Sequence, residues 1–90
     1  MSVKERIETK LRSAFAPSHL QVIDQSHLHA GHAGAPDGGE SHFKVVIVAE
    51  AFTGKTRVDR QRAINGILHE ELDGPVHALA LQVKSPDEVA

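Results

Sequence analysis

The chain has 90 residues, of which 40% are hydrophobic and 24% charged, with a formal net charge of −2 at pH 7 and no cysteine. This length suits one domain with a modest core, and no apolar run reaches the ~18 residues that a membrane-spanning helix needs. Disulfides, thiolate ligands and thiolate nucleophiles are excluded, and no excess of basic residues is present to hold a polyanion by bulk electrostatics.

The first predicted element is a helix that begins after Ser2. The sequence SVKE has the S-x-x-E form of a capping box, in which the end residues satisfy each other's backbone N–H groups. Apolar residues then recur every four positions: Val3, Ile7, Leu11 and Phe15. This spacing predicts one buried helix face, and Pro17 ends the helix. The charged amino terminus has no apolar segment of the signal-peptide type, so a cytoplasmic location is expected.

The middle of the chain predicts two strands with a long connection. Residues 20–24 have the pattern of a short strand, whereas residues 25–40 contain turn-forming residues and show no periodicity. Loops of this length inside compact domains are uncommon and usually functional or disordered, and we expect this one to be mobile in the free protein. Residues 43–48, FKVVIV, are a β-branched run suited to a central strand.

The last third of the chain predicts a helix and a final strand. After a turn at 53–55, a helix over 57–72 is indicated by one apolar stripe: Ile64, Ile67, Leu68 and Leu72. Gly74 and Pro75 end this helix, and residues 76–84 are predicted as the final strand. Pro86 is expected to close the ordered part of the chain, which leaves residues 85–90 as a polar tail.

The predicted element order, α-β-β-α-β, indicates an α+β fold. The first two strands can pair antiparallel, whereas the third strand follows a helical crossover, which favours parallel pairing. We therefore expect residues 1–90 to form a single domain with a three-stranded mixed sheet and its helices on one face.

Histidine is concentrated in and after the long loop, where residues 26–43 contain four of the chain's seven. His27, His29 and His32 follow the spacing H-x-H-x-x-H, and imidazoles on one side of a bending loop could converge on a cation. The glycines of this segment allow the backbone to bend as ligation requires. On spacing alone, the simpler interpretation is a solvated surface loop.

His77 is the second candidate ligand, because it precedes apolar strand residues and follows the turn at Gly74 and Pro75. A lone histidine in such a place is more simply a rim residue that hydrogen-bonds to the backbone. No serine or acidic residue stands at a spacing that indicates a catalytic triad with His77, and no nucleophile-elbow motif is present.

A basic cluster surrounds the start of the second predicted helix: Lys55, Arg57, Arg60 and Arg62. The amino end of a helix already carries positive partial charge, so these cations do not serve helix stability and could contact phosphates or an acidic protein partner. Pairing with Glu50 and Asp59 is the alternative. With three phenylalanines and no tyrosine or tryptophan, the chain has no stacking platform for single-stranded nucleic acid.

Four segments, in this order, resemble the BolA family: HLQVIDQSHLHAGHAG, ESHFKVVIV, RQRAINGILHEEL and GPVHALAL. The resemblance extends from Ile7 to about Val83. It implies an α-β-β-α-β fold similar to type II KH domains. It also implies association with a monothiol glutaredoxin of the CGFS type and a [2Fe–2S] cluster shared with that protein.

The same resemblance implies a set of cluster ligands. The VHAL motif would supply one ligand, here His77, and the long loop would supply the second. The S-H-x-H match places the second ligand at His29, with His27 and His32 as alternatives. One departure concerns the second helix, where the sequence RQR at 60–62 replaces the family's usual Arg-His-Arg and weakens any role for a helix-borne imidazole.

These observations favour a non-enzymatic adaptor for iron–sulfur cluster assembly, transfer or iron sensing. A [2Fe–2S] cluster takes four ligands, mostly thiolates, whereas this chain offers imidazoles and no thiolate. A glutaredoxin cysteine and glutathione are therefore expected to complete the ligand set, and the isolated chain is expected to hold no cluster tightly. Alone, the chain is expected to be a monomer or a weak homodimer, with no membrane partner.

Two alternatives stay open. The first is a DNA-binding transcriptional regulator that uses the basic cluster, with weak and salt-sensitive binding because the net charge is negative. The second is a carrier of Zn²⁺ or Ni²⁺ that uses the histidine loop and needs no partner protein.

Overall fold

The computed structural model describes residues 2–25 and 41–89 of the chain. Within these ranges three helices and three strands follow one another: α1 (Val3–Phe15), β1 (His19–Asp24), β2 (His42–Val48), α2 (Arg57–Ile67), α3 (His69–Asp73) and β3 (Ala78–Lys84). Short 3-10 turns, Glu50–Phe52 and Pro86–Glu88, follow β2 and β3. No helix in the described ranges is long and apolar enough to cross a membrane.

The three strands form one mixed sheet with β2 at its centre. β1 runs antiparallel to β2, with His19 opposite Val48, and β3 runs parallel to β2, with His42 opposite Ala78. The predicted α+β class and mixed sheet are therefore confirmed. The likeness to type II KH domains stays an expectation.

The helices pack on the face of the sheet that carries alternate residues of β2. The core joins buried side chains from β2, α1 and α2: Phe43, Val45, Ile47, Ile7, Leu11, Ile64 and Leu68. Both apolar stripes predicted from helical spacing belong to this cluster, either buried within it or packed against it. The helical periodicity of the sequence therefore identifies the core face of both helices.

The second helix does not continue to residue 72 as predicted, because it breaks at Leu68. Leu68 has φ −100° and ψ 17°, outside helical geometry, and its side chain is only 1% exposed in the core. Gly66 is a weak helix former that precedes the break, and its carbonyl oxygen lies 3.0 Å from Nδ1 of His69. The short helix α3 follows as a separate element.

β3 begins at Ala78, two residues later than predicted. Val76 is 3% exposed in the core, and its N–H donates to the carbonyl of Glu71 at 2.9 Å. Val76 therefore closes α3 instead of joining the sheet, and His77 links the two elements.

Pro86 does not close the ordered part of the chain, because the residues after β3 form an anchored 3-10 turn. The carboxylate of Glu88 accepts a hydrogen bond from the N–H of Ser85 at 2.7 Å, and the Ser85 side chain accepts one from the backbone N–H of Glu88, so the two residues form a capping box. The same carboxylate pairs with Arg60 at 2.6 Å. Ser85 is 1% exposed, so part of the predicted polar tail is buried.

A buried carboxylate ties α1 to α3. The side chain of Glu71 is 1% exposed, and its oxygens lie 2.8 Å from Arg6 and 2.9 Å from Lys10. Burial acts to raise the pKa of Glu71, but the hydrogen bond from Lys10 and the charges of Lys10 and Arg6 hold this pKa below its ordinary value. The same hydrogen bond raises the pKa of Lys10. The ion pairs therefore persist at neutral pH.

Acid is expected to destabilise the fold through Glu71 and Glu88. Hydrogen bonds from the N–H of Ser85, from Arg60 and from the Ser85 hydroxyl lower the pKa of Glu88 from 4.5 to about 2. A carboxyl group whose folded pKa is lowered contributes stability above its unfolded pKa and loses that contribution as the pH falls. The free energy of unfolding should therefore decrease from pH 4.5 towards about pH 2, and Glu88→Gln should flatten part of this decrease. Urea denaturation across this range measures it, and identical profiles for E88Q and the wild type would contradict it.

Candidate histidine site and basic groove

His77 lies immediately before β3, on a backbone that the neighbouring strand holds in place. Its N–H donates to the carbonyl of Ser41 at 2.7 Å, and the N–H of Ala78 donates to the same oxygen at 3.2 Å. The His77 side chain is exposed. The position of this residue is thus set by the sheet, while its imidazole faces solvent.

His42 is the neighbour of His77 that sequence reasoning did not select as a ligand. The two ring centroids are 6.2 Å apart with an interplanar angle of 50°. His42 opens β2 and stands opposite Ala78 in the parallel register. The sequence contains no spacing signal for this proximity, because it depends on parallel pairing between two strands that are distant in the chain. We call His42 and His77 the histidine pair.

Ser41 organises both members of the histidine pair. Its carbonyl fixes the backbone of His77, and its hydroxyl lies 2.9 Å from Nδ1 of His42. Ser41 is itself only 2% exposed, so water has little access to the residue that makes both contacts. Hydrogen bonds of this type orient imidazole rings in metal sites.

The donor chemistry of the described site is limited to imidazole. Within residues 2–25 and 41–89, no group of three or more histidine, cysteine, aspartate or glutamate side chains is arranged to hold a metal ion. The histidine pair would therefore need further ligands, either from the long loop or from another molecule. The three loop candidates, His27, His29 and His32, lie outside the described residues, as does the predicted mobility of that loop beyond Gln25.

The structure separates the four predicted cations of the basic cluster. Lys55 and Arg57 are exposed and line a groove of about 590 Å³ between the start of α2 and β3. Arg62 is exposed but is not among the groove residues. We call this cavity the basic groove; its lining residues are Lys55, Arg57, Arg60, Gln61, Leu81, Gln82, Val83, Lys84 and Glu88.

The Arg60 side chain is held in place by three contacts within the fold. Its guanidinium donates to the carbonyl of Lys55 at 3.0 Å and to that of Val83 at 3.2 Å, and it pairs with Glu88 at 2.6 Å. The side chain is 11% exposed. A phosphate contact by Arg60 would compete with these bonds, so Lys55 and Arg57 are better placed than Arg60 to contact an anion.

The family model for BolA-like proteins matches residues 11–88, a range that includes the histidine pair and the basic groove. This chain belongs to the BolA family. It is 52% identical over 81 residues to the DNA-binding transcriptional regulator BolA of Escherichia coli (strain K12), covering 90% of this chain and 73% of that protein. It is 53% identical over 89 residues to an uncharacterized protein in the cobS 5′ region of a Sinorhizobium species, covering 98% of this chain and 96% of that protein.

The comparison with solved structures agrees with the BolA assignment. The BolA domain of SufE1 from Arabidopsis thaliana matches this structure with a TM-score of 0.87 and 42% sequence identity, covering 98% of this chain and 96% of that domain. The resemblance read from the four sequence segments is thus confirmed at the level of family and fold.

Replacement of Ser41 by alanine is expected to release the His42 ring of this BolA domain. The variant loses the hydroxyl that holds Nδ1, so the imidazole ¹⁵N signals of His42 should move while those of His69 stay in place. Loss of one buried hydrogen bond should lower the free energy of unfolding by about 1 kcal/mol. Ser18→Ala, which removes a hydroxyl bonded to the Val48 carbonyl, is the matched control. Unchanged His42 signals in S41A would refute the positioning role.

Proposed function

We propose that this chain is a non-enzymatic BolA adaptor that binds a monothiol CGFS glutaredoxin and shares a [2Fe–2S] cluster with it. The observation that carries the proposal is His77, an exposed imidazole on a backbone fixed by Ser41 and 6.2 Å from a second imidazole. In this function the chain serves cluster assembly, cluster transfer or iron regulation. The proposal also places it in the cytoplasm, as a monomer or weak homodimer when alone.

The chain can supply the histidine ligands of a [2Fe–2S] cluster that is ligated by both histidine and thiolate. Two histidines on one iron are an established form of [2Fe–2S] ligation, with thiolates on the other iron. The chain has seven histidines and no cysteine, so its partner must supply the thiolates, here a glutaredoxin cysteine and glutathione. His77 is one proposed ligand and His29 the other, with His27 and His32 as alternatives. When bound, the cluster would supply transferable iron and sulfide and an electron-accepting centre.

His77 is suited to ligation because the sheet already orders it. Ligation costs little backbone entropy at a residue whose N–H is bonded to Ser41, and the exposed ring needs no opening of the core. A neutral imidazole is required for iron binding, so complex formation should weaken as histidine becomes protonated.

His77→Ala is expected to abolish the stable mixed cluster. The measurement is visible circular dichroism of the chain mixed with a CGFS glutaredoxin, glutathione, iron and sulfide, where the variant should leave at most the spectrum of glutaredoxin alone. His19→Ala is the matched control, because His19 is an exposed histidine on the opposite edge strand. An unchanged spectrum and cluster half-life for H77A would overturn the assignment.

The loop ligand is expected to be replaceable. His29→Ala should leave a labile cluster with an altered spectrum, because His27 and His32 lie within three residues and can substitute. Only the triple alanine variant of these histidines should match the loss in H77A. A triple variant that retains the wild-type spectrum would remove the loop from the ligand set and would favour His42 as the second ligand.

A DNA-binding regulator is the second candidate function. It is favoured by the similarity to the DNA-binding transcriptional regulator BolA of Escherichia coli and by the exposed cations Lys55 and Arg57. Reversing the charges of Lys55, Arg57 and Arg62 together should lower duplex affinity at least tenfold and flatten its salt dependence. Arg60 is left intact because its removal would disturb the fold. Unchanged duplex binding in this variant would eliminate the basic cluster as a DNA contact.

The metal-carrier alternative stays a prediction about the long loop. It assigns Zn²⁺ or Ni²⁺ to His27, His29 and His32 in the isolated protein. Calorimetric titration of wild type and the triple alanine variant with Zn²⁺ distinguishes it from the adaptor function, which requires glutaredoxin and glutathione.

A further inference from the structure

In the described part of the chain, β3 is an edge strand whose outer side has no strand partner. The N–H of Ala78 donates to Ser41 and the carbonyl of Lys84 accepts from Ala49, so the even-numbered residues of β3 bond to β2. The backbone groups of the odd-numbered residues face away from the sheet: Leu79, Leu81 and Val83. Within the described ranges, the hydrogen bond that reaches this side comes from Arg60 to the carbonyl of Val83.

The open edge of β3 leads into the basic groove. Lys84 on the strand and Lys55 and Arg57 at the start of α2 flank this position from two elements. None of these three cations has an ion pair within residues 2–25 and 41–89. As far as the structure describes the chain, the groove therefore presents three cations without an ion pair beside a strand edge that has no strand partner.

The groove already holds one carboxylate. Glu88 lies within it and pairs with Arg60 at 2.6 Å, so the lining accommodates an acidic side chain beside β3. The groove has three further cations that lack a carboxylate partner among the described residues: Lys55, Arg57 and Lys84. The groove thus has room and charge for further carboxylates.

We propose that the β3 edge and the basic groove dock an extended acidic peptide segment of a partner protein, which adds a fourth strand to the sheet. Main-chain hydrogen bonds to Leu79, to Leu81 and to the N–H of Val83 would supply affinity, because the Val83 carbonyl already accepts from Arg60. Carboxylates beside Lys55, Arg57 and Lys84 would supply specificity. A strand of five residues spans about 17 Å, enough to run from the groove towards the histidine pair. The docking of a peptide at this surface does not require His77, which is the proposed cluster ligand.

Two other occupants fit these observations less well. A second copy of the chain would pair through the same strand, ALALQVK, which contains no acidic residue and would add a further lysine beside the groove. A single-stranded nucleic acid cannot continue a β-ladder, and among the described residues no aromatic side chain lines the groove to stack its bases.

The test uses ¹⁵N-labelled protein and a capped heptapeptide in which glutamate and valine alternate. Saturable shifts are expected for the amides of Leu79, Leu81 and Val83, together with slower hydrogen exchange of these amides. Lys55→Glu combined with Arg57→Glu should weaken binding at least tenfold, because both side chains are exposed and groove-lining. Arg62→Glu is the matched control outside the groove and should change the affinity less than twofold.

A second peptide, N-methylated at alternate amides, separates strand pairing from charge attraction. It retains the carboxylates but cannot complete a ladder, so its binding should be lost. Equal binding of the methylated peptide, or shifts outside β3 and the groove, would overturn the proposal. Displacement of the heptapeptide by a single-stranded oligonucleotide of higher affinity would do the same and would assign the groove to nucleic acid. Peptide binding by H77A should equal that of the wild type, which keeps this result independent of the cluster experiment.

Discussion

The parallel pairing of β2 with β3 is the constraint on which the rest of the structure depends. It places His42 opposite Ala78 and so brings His77 beside His42, although the two histidines belong to distant segments. Side chains alternate between the faces of a strand, so a slip of one residue would carry half of β3 out of the core. Ser41 helps to hold this register, because its carbonyl accepts from both His77 and Ala78. The geometry of the histidine pair is therefore a property of the sheet and not of a local motif.

The charged residues of the domain fall into two groups. Some form ion pairs or hydrogen bonds that stabilise the fold, and others stay exposed and can contact a partner. Arg6 and Lys10 form ion pairs with the buried carboxylate of Glu71. Arg60 forms an ion pair with Glu88 and donates a hydrogen bond to the edge of β3. Lys55 and Arg57 remain exposed without an ion pair in the described part of the chain. A count of basic residues along α2 does not reveal this division. It matters for function, because only the second group can meet an anion without cost to stability.

The sequence contains most of the information for the architecture of this domain. Spacing of four along α1 identifies its buried face, the β-branched run identifies the central strand, and the crossover predicts parallel pairing of the last strand. Local patterns of this kind survive because periodicity directly reflects which side chains are buried. The resemblance to the BolA family, read from four short segments, is confirmed by the family match and the structural match.

The errors arise where distant residues meet. The break at Leu68 is the exception, because it is a local feature that follows Gly66, a weak helix former. Arg60 forms an ion pair with Glu88, which lies in the segment predicted as a polar tail. His42 was visible in the sequence but had no reason to be chosen before the register was known. The proposed ligands in the loop follow from their spacing and from the family resemblance, and they lie outside the described residues.

The hydrogen bond from Arg60 to Val83 has a consequence for the behaviour of the domain at high concentration. An exposed edge strand as apolar as ALALQVK is a template for unwanted self-association, since its free backbone groups invite identical strands. The guanidinium occupies the outward carbonyl nearest the end of that strand, and Lys84 places a charge beside it. Charged side chains at a sheet edge are a general device that limits edge-to-edge pairing. Among the described residues, the middle of this edge carries no such side-chain contact. The same residue that stabilises the last turn thus limits which strands the domain will accept.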